Sequence, residues 1–277
     1  MPDMNDATSL LIASPADHGR FGLNVMRAVL ESSSCVAGAA ARIAAEIEES
    51  SADIVILRAP VDCTALVRDL VGLGYPPLNA DTLVYYEKLL DTTVSQVIAP
   101  YVDIDASLAH PTHDLDAISE IARSAFSGYK SHYSANPLFD PRLVEEGYVE
   151  WAVSQLGVDG AEPGNWVARK NGRAIAFIAC RDTTTPQECE IVLNAVDPVH
   201  AGRGVYRYLL AHSMGELRRK GYERLIISTQ IWNYAVQKAW SRCGMNLYRA
   251  YATYHINSLL GVGHSRAIDI AGVEHTR

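Results

Sequence analysis

Gly202, Arg203 and Gly204, in the run "AVDPVHAGRGVYRYLL" (195–210), have the residue types and spacing to hold an anion. Glycine accepts positive φ, so two glycines around one residue let the backbone turn with its amides pointing one way. The helical pattern that follows, opening with Val205 and Tyr206, adds unsatisfied N–H groups and a partial positive charge. Together they make a cradle suited to a diphosphate, to which Arg203 can add a charge-assisted contact. An ordinary strand-to-helix turn asks for the same glycines, so the run alone leaves both readings open. Two familiar motifs are excluded by spacing: the Rossmann fingerprint needs a third glycine, and a P-loop needs a following Lys-Ser or Lys-Thr pair.

Two other groups of side chains carry chemistry. Glu190 stands near the start of the apolar run "ECEIVLNAV". A carboxylate entering a buried strand has its pKa raised by desolvation and can take a proton from an ammonium, directly or through water. A solvated strand-end glutamate is the alternative. In "SGYKSHYSANPLF", Tyr129, Lys130, His132, Tyr133 and Asn136 combine aromatic faces for a base or sugar with a lysine for a phosphate. An exposed loop carries such residues as well. His132 by itself reads as a surface histidine rather than a base. His110 and His113 flank Pro111 without a third nearby ligand, so no metal site is expected.

The surrounding pattern supplies elements to position these groups. "GNWVARKNGRAIAFIACRD" reads as a hairpin turning at Asn171-Gly172, and "ECEIVLNAV" as a buried strand. "VYRYLLAHSMGELRRKGY" gives about four helical turns. A strand "RLIISTQI", a helix "NYAVQKAWSRCG" and a strand "LYRAYATYHI" follow. Upstream, "ADIVILRAP" and "DTLVYYEKLL" read as strands around the helix "CTALVRDLVGLGY", and "VAGAAARIAAEIEES" reads as a further helix. This predicts a small α/β domain over 1–98, a second domain over 99–257 and a loose tail over 258–277. "DASLAHPTHDLD" reads as a linker, with Asp114 as N-cap of the helix "LDAISEIARSAF".

Composition limits the function classes. The 277 residues are 48% hydrophobic, enough for a sizeable core. A net charge of -8 without a long acidic run argues against nucleic acid or an anionic membrane surface as partner. Five cysteines without a CxxC pair are unlike a disulfide framework or zinc ribbon, and no apolar run is long enough to span a bilayer. The expectation is a soluble cytoplasmic protein; whether it forms a homodimer is left open.

The 195–210 run resembles motif A of the GNAT N-acetyltransferase superfamily, in which a splayed strand, a glycine loop and a helix grip acetyl-CoA. Both glycines and the preceding "VDP" are present, while Ala201 and Tyr206 depart from the family's Gln/Arg and its final Gly/Ala. "NYAVQKAWSRCGM" is similar to the family's next motif. The resemblance implies an α/β (α+β) fold: a mixed, mostly antiparallel sheet flanked by helices. It implies acetyl-CoA as cosubstrate without a metal, and direct attack by a small-molecule amine. It implies main-chain contacts to the thioester at Ala195 and Val196 and a base at Glu190. Asn233 would bond to the cofactor arm. Where many members keep a tyrosine acid this chain has Trp240, which would pack on the arm or in the core. Protonation of the thiolate then falls to Tyr234 or Tyr206, or to no side chain.

A narrower resemblance covers more of the chain. "HGRFGLNVMRAV", "ADIVILRAP", "DTLVYYEK", "SAFSGYKSHYSANPLFDPRLVEEGYVEWA" and "ISTQIWNYAVQKAWSRCG" follow in order the layout of the dTDP-fucosamine acetyltransferase group. Those enzymes acetylate an amino group on a nucleotide-linked deoxysugar. Acetylation of another amine (an antibiotic, a polyamine, a protein N-terminus) and a non-catalytic acyl-CoA-binding module are the alternatives.

Overall fold

The computed structural model describes residues 9–31, 38–91, 103–156 and 163–258. They fall into two compact units, one of residues 80–252 and one of the stretches on either side. The expected boundary near residue 98 is therefore displaced: "DTLVYYEKLL" belongs to the larger unit, where the neighbours of that strand lie. Residues 259–277, the expected tail, lie outside the described residues.

The smaller unit contains β1 (Ile12–Ala13), α1 (Pro15–Phe21), β2 (Val25–Val29), α2 (Ala39–Ser50), β3 (Ile54–Pro60) and α3 (Thr64–Gly72). β1 runs antiparallel to β2, and β2 runs parallel to β3 from Val25↔Ile54 to Val29↔Arg58 without a register shift. Ala40, Ile43 and Ile47 of α2, spaced three and four residues apart, bury against Val55 and Leu57 of β3 and Leu70 of α3. Ile256, near the C-terminal end of the described residues, closes this core. Cys63 is disulfide-bonded, although five cysteines without a CxxC pair are unlike a disulfide framework, while Cys180, Cys189 and Cys243 are free.

The larger unit is built from β4 (Leu78–Leu89), β5 (Ile104–Leu108), α4 (Leu115–Phe126), α5 (Pro141–Leu156), β6 (Asn165–Lys170), β7 (Arg173–Asp182), β8 (Glu188–Val196), α6 (Val205–Arg219), β9 (Arg224–Gln230), α7 (Tyr234–Arg242) and β10 (Asn246–Asn257). Its strands lie in the order β10-β4-β9-β8-β7-β6-β5. β8 and β9 are parallel, and the pairs β4/β9, β5/β6, β6/β7 and β7/β8 are antiparallel. β7 reads as a continuous apolar run because both of its faces are covered. Ile175, Ile178 and Cys180 pack with Leu209, Leu210 and Leu217 of α6, and Phe177 and Ala179 pack with Ile118 and Ile121 of α4. The β6–β7 hairpin turns through Asn171 (φ 51°) and Gly172 (φ 79°), the two positive φ values that a tight two-residue turn requires.

Part of the expected linker is instead edge strand β5, and Asp114 does not cap in the expected way. Its carboxylate is 1% exposed, accepts from the His110 amide (2.7 Å) and pairs with Arg169. Among the described residues no helix is long and apolar enough to cross a membrane.

The smaller unit contains one buried titrating group with a consequence for stability. His255 is 0% exposed, and burial, helped by Arg27 and Arg58 and opposed by Asp17, lowers its pKa to about 4. An unfolded histidine protonates near ~6.5. Between those values the unfolded chain binds more protons, so this contribution is intact above pH ~6.5 and is lost as pH falls toward 4. The denaturant midpoint is expected to decline across that window, and His255→Gln is expected to flatten the decline. An unchanged slope in the variant would assign the pH dependence elsewhere.

Candidate active site

One irregularity in β8 shapes the site. β7 and β8 pair Cys180 with Ile191 and Ala179 with Leu193, so Val192 is an extra residue in the ladder, a β-bulge. The parallel pairing of β8 with β9 ends at Ile191↔Ile227. Beyond it β8 stays with β7 as far as Ala176↔Val196, and β9 stays with β4 as far as Leu83↔Gln230. The two strands therefore part, and the β9-facing edge of β8 from Val192 to Val196 has no ladder pair. The Asp197 amide donates to Ile175 O (2.9 Å), so Ala195, two residues earlier, also turns its main chain to β7, against the expectation that it contacts a ligand, while Asn194 and Val196 turn theirs to the open edge.

The glycine turn follows directly. Asp197 accepts a hydrogen bond from the Val199 amide (3.0 Å) and fixes the strand exit. Gly202 (φ 73°) and Gly204 (φ 87°) then take left-handed conformations. A Cβ at Gly202 would meet nothing within 4 Å, so the glycine answers the backbone angle rather than a shortage of space. The first helical bond of α6 runs from the Tyr208 amide to Gly204 O (3.0 Å). The amides of Val205, Tyr206 and Arg207 precede that ladder, beside the exposed residues Gly202, Arg203 and Gly204.

The aromatic candidates separate. Trp240 is 0% exposed, lies edge-on to Tyr86 (5.3 Å between centroids) and donates its indole N–H to the Tyr206 hydroxyl (2.7 Å). The indole packs in the core, which leaves it no open face for a cofactor arm. Burial also raises the Tyr206 pKa well above the ordinary tyrosine value, its bond to Trp240 opposing. Tyr234, the first residue of α7, is 66% exposed. Asn233 precedes it and donates to Thr229 Oγ1 (3.1 Å) at the end of β9.

Tyr129 joins this end of β9. Its ring lies edge-on to Phe126 of α4 (5.5 Å) and Tyr148 of α5 (5.6 Å), and its hydroxyl donates to Gln230 Oε1. Gln230 Nε2 is 3.4 Å from Oδ2 of Asp81, a carboxylate 2% exposed. Burial raises the Tyr129 pKa, with the Asp81 charge adding and bonds to Thr229 and Asn233 opposing. The other loop candidates are placed differently. Lys130 is exposed, and His132, expected at the surface, is 6% exposed and stacked on Tyr133 (4.0 Å). Asp81, Thr229 and Gln230 were not singled out in the sequence. The available signal was a set of polar residues inside otherwise apolar strand runs.

Glu190 lies on the ordered side of the bulge, opposite Arg181 on β7 and Ile226 on β9. Its side chain is 16% exposed and pairs with Arg181 (2.7 Å), which is itself 64% exposed. Because paired residues share a face, Glu190, Ile226 and Glu87 lie on one face of the sheet. Among the described residues no group of three His, Cys, Asp or Glu side chains could hold a metal.

A splayed parallel pair, a glycine turn and an open helix start in direct succession are what the family resemblance requires, and the family's model matches this segment. The acetyltransferase (GNAT) family model matches residues 115–245. The chain is 29% identical over 143 residues to the spore coat polysaccharide biosynthesis protein SpsD of Bacillus subtilis, a match covering 52% of this chain and 47% of that one. It thus spans about half the length of this curated relative. A GCN5-related N-acetyltransferase of Sphaerobacter thermophilus superposes with TM-score 0.63 at 16% identity, over 88% of this chain and 74% of its own. The glucosamine N-acetyltransferase region of a fungal multi-domain β-N-acetylglucosaminidase gives 0.58 at 13% identity, over 89% and 30%. At these identities the structural likeness is one of fold.

The GNAT domain's turn yields a direct test. Gly204→Val places a β-branched residue at φ 87° and distorts the helix entrance. The dissociation constant for acetyl-CoA, measured by calorimetry, is expected to rise at least about tenfold. Unchanged affinity would contradict the cradle.

Proposed function

We propose that the GNAT domain transfers the acetyl group of acetyl-CoA to a primary amine of a small molecule, the amine of a nucleotide-linked amino deoxysugar being the best-supported acceptor. The observation that carries the reading is the parting of β8 from β9 immediately before the glycine turn. It joins a channel for an extended arm to a seat for its diphosphate. The sugar acceptor is supported by the name of the Bacillus subtilis relative, a spore coat polysaccharide biosynthesis protein, and by the order of sequence pieces that resemble amino-sugar enzymes.

In this reading the amides of Val205, Tyr206 and Arg207, with the Gly202–Gly204 turn, hold the diphosphate, and Arg203 adds charge from the surface. The main chain of Asn194 and Val196 lies along the arm, and the Val196 amide offers a donor to the thioester oxygen, where charge develops. Asn233 is positioned to bond to the arm from the opposite side. Acetyl-CoA supplies the activated acyl carbon. Glu190 receives the ammonium proton, directly or through water, and frees the nitrogen lone pair. The C–N bond then forms as the C–S bond breaks. A thiol pKa near ~8.5 makes the thiolate a tolerable leaving group. Tyr129, held at the β9 end beside Thr229 and Asn233, is better placed than the exposed Tyr234 to give it a proton.

Thiol release from acetyl-CoA across free amino sugars, nucleotide-linked amino sugars and polyamines tests the reading. Saturable turnover is expected with the nucleotide-linked sugars. Turnover with none of the amines would leave an acyl-CoA-binding module instead. Glu190→Gln is expected to lower kcat by about 10²-fold or more and to remove the acid limb of the pH profile, where protonation of the base lowers the rate. A normal profile would remove Glu190 as base.

A further inference from the structure

The face of the sheet that carries Glu190 continues across β9 onto β4. Glu190, Ile226 and Glu87 are register partners, and Ser228 pairs with Tyr85 one step further along the same face. Tyr85 therefore stands at the level where β8 has already left β9. Two strand spacings, about 10 Å, separate β4 from β8.

Around Tyr85 the structure builds a cage for a guanidinium. Arg249, exposed on β10, lies over the rings of Tyr85 (4.7 Å), Tyr248 (5.0 Å) and Tyr251 (5.3 Å). The rings stand edge-on to one another, Tyr85 to Tyr248 at 78° and Tyr85 to Tyr251 at 68°. Contact with ring faces holds the guanidinium in place without pairing its N–H donors with an anion. Neighbouring Arg224 makes the contrast. It lies over Tyr248 (4.9 Å), but its fork is already taken by Glu87 and Glu188. Among the described residues no carboxylate pairs with Arg249. A charged guanidinium held against aromatic rings on β10, next to β4 and without a carboxylate partner, is built to receive an anion.

We infer that the Arg249 cage is the subsite for the diphosphate of the acceptor. The inference rests on the nucleotide-linked acceptor proposed above. It places the acceptor across the sheet, with its phosphates at β10 and β4 and its amine at Glu190. The loop of Lys130 and His132 is then not the phosphate seat.

Calorimetry with thymidine diphosphate as probe, without acetyl-CoA, tests the subsite. Binding to the wild type is expected, weakened at least tenfold in Arg249→Met and recovered only in part by Arg249→Lys, which keeps the charge but loses the fork. Thermal melting confirms that each variant is folded, and Tyr85→Leu is expected to weaken binding through loss of one wall. Equal affinity in wild type and Arg249→Met overturns the inference. So does turnover of a nucleotide-linked amino sugar whose KM does not respond to Arg249→Met, while leaving the acceptor reading intact. Arg249-dependent binding of thymidine diphosphate without turnover of any nucleotide-linked sugar removes that reading and sustains the subsite.

Discussion

Val192 is one residue more than the β7 ladder can pair, and the rest of the site follows from how the sheet absorbs it. A bulge bends the strand and sharpens its twist. β8 keeps its pairing with β7, where both strands are clamped between helices, so the distortion is expressed on the other side, where pairing with β9 stops. Backbone groups that would have been consumed in a ladder become available in a largely apolar setting, where unpaired N–H and C=O groups are costly and a ligand that pairs them gains accordingly. The glycine turn and the start of α6 sit at the end of the same strand, so the open strand edge and the open helix start adjoin.

The smaller unit supplies an internal control on this logic. β3, the turn after it and α3 match β9, its turn and α7 in length, with seven strand residues and nine helix residues in each. Leu70 and Trp240 occupy the same helix position and are both 0% exposed. Gly74 and Gly244 both take positive φ after the helix. Yet β2 and β3 remain paired to Val29↔Arg58, and the Leu30 amide still reaches Arg58 O (2.8 Å). With no extra residue the parallel pair stays closed and presents no comparable edge. A similar order of elements therefore gives a parted strand pair in one unit and a closed one in the other.

Much of the fold was legible because the relevant signals are local. The four helical turns after Gly204, the Asn171-Gly172 hairpin and the strands on either side of α7 all follow from periodicity and turn chemistry within a few residues. The bulge was not legible, because "EIVLNAV" has neither glycine nor proline at Val192 and the extra residue exists only relative to β7. β5 read as a linker because an edge strand needs few apolar residues. The polar group around Tyr129 was hidden for another reason: Gln230 is 101 residues away and Asp81 precedes the domain matched by the family model. Trp240 could be located by pattern, but its burial against Tyr86 and Tyr206 depends on strand pairing.

Residue-resolved amide exchange of the full chain with and without acetyl-CoA tests the central claim most directly. If the parted strands are the channel, added acetyl-CoA slows exchange at residues 192–196 of β8 and 203–207 at the head of α6, leaving the paired segment 188–191 little changed. Protection that appears elsewhere, with residues 192–196 exchanging as before, would contradict the account.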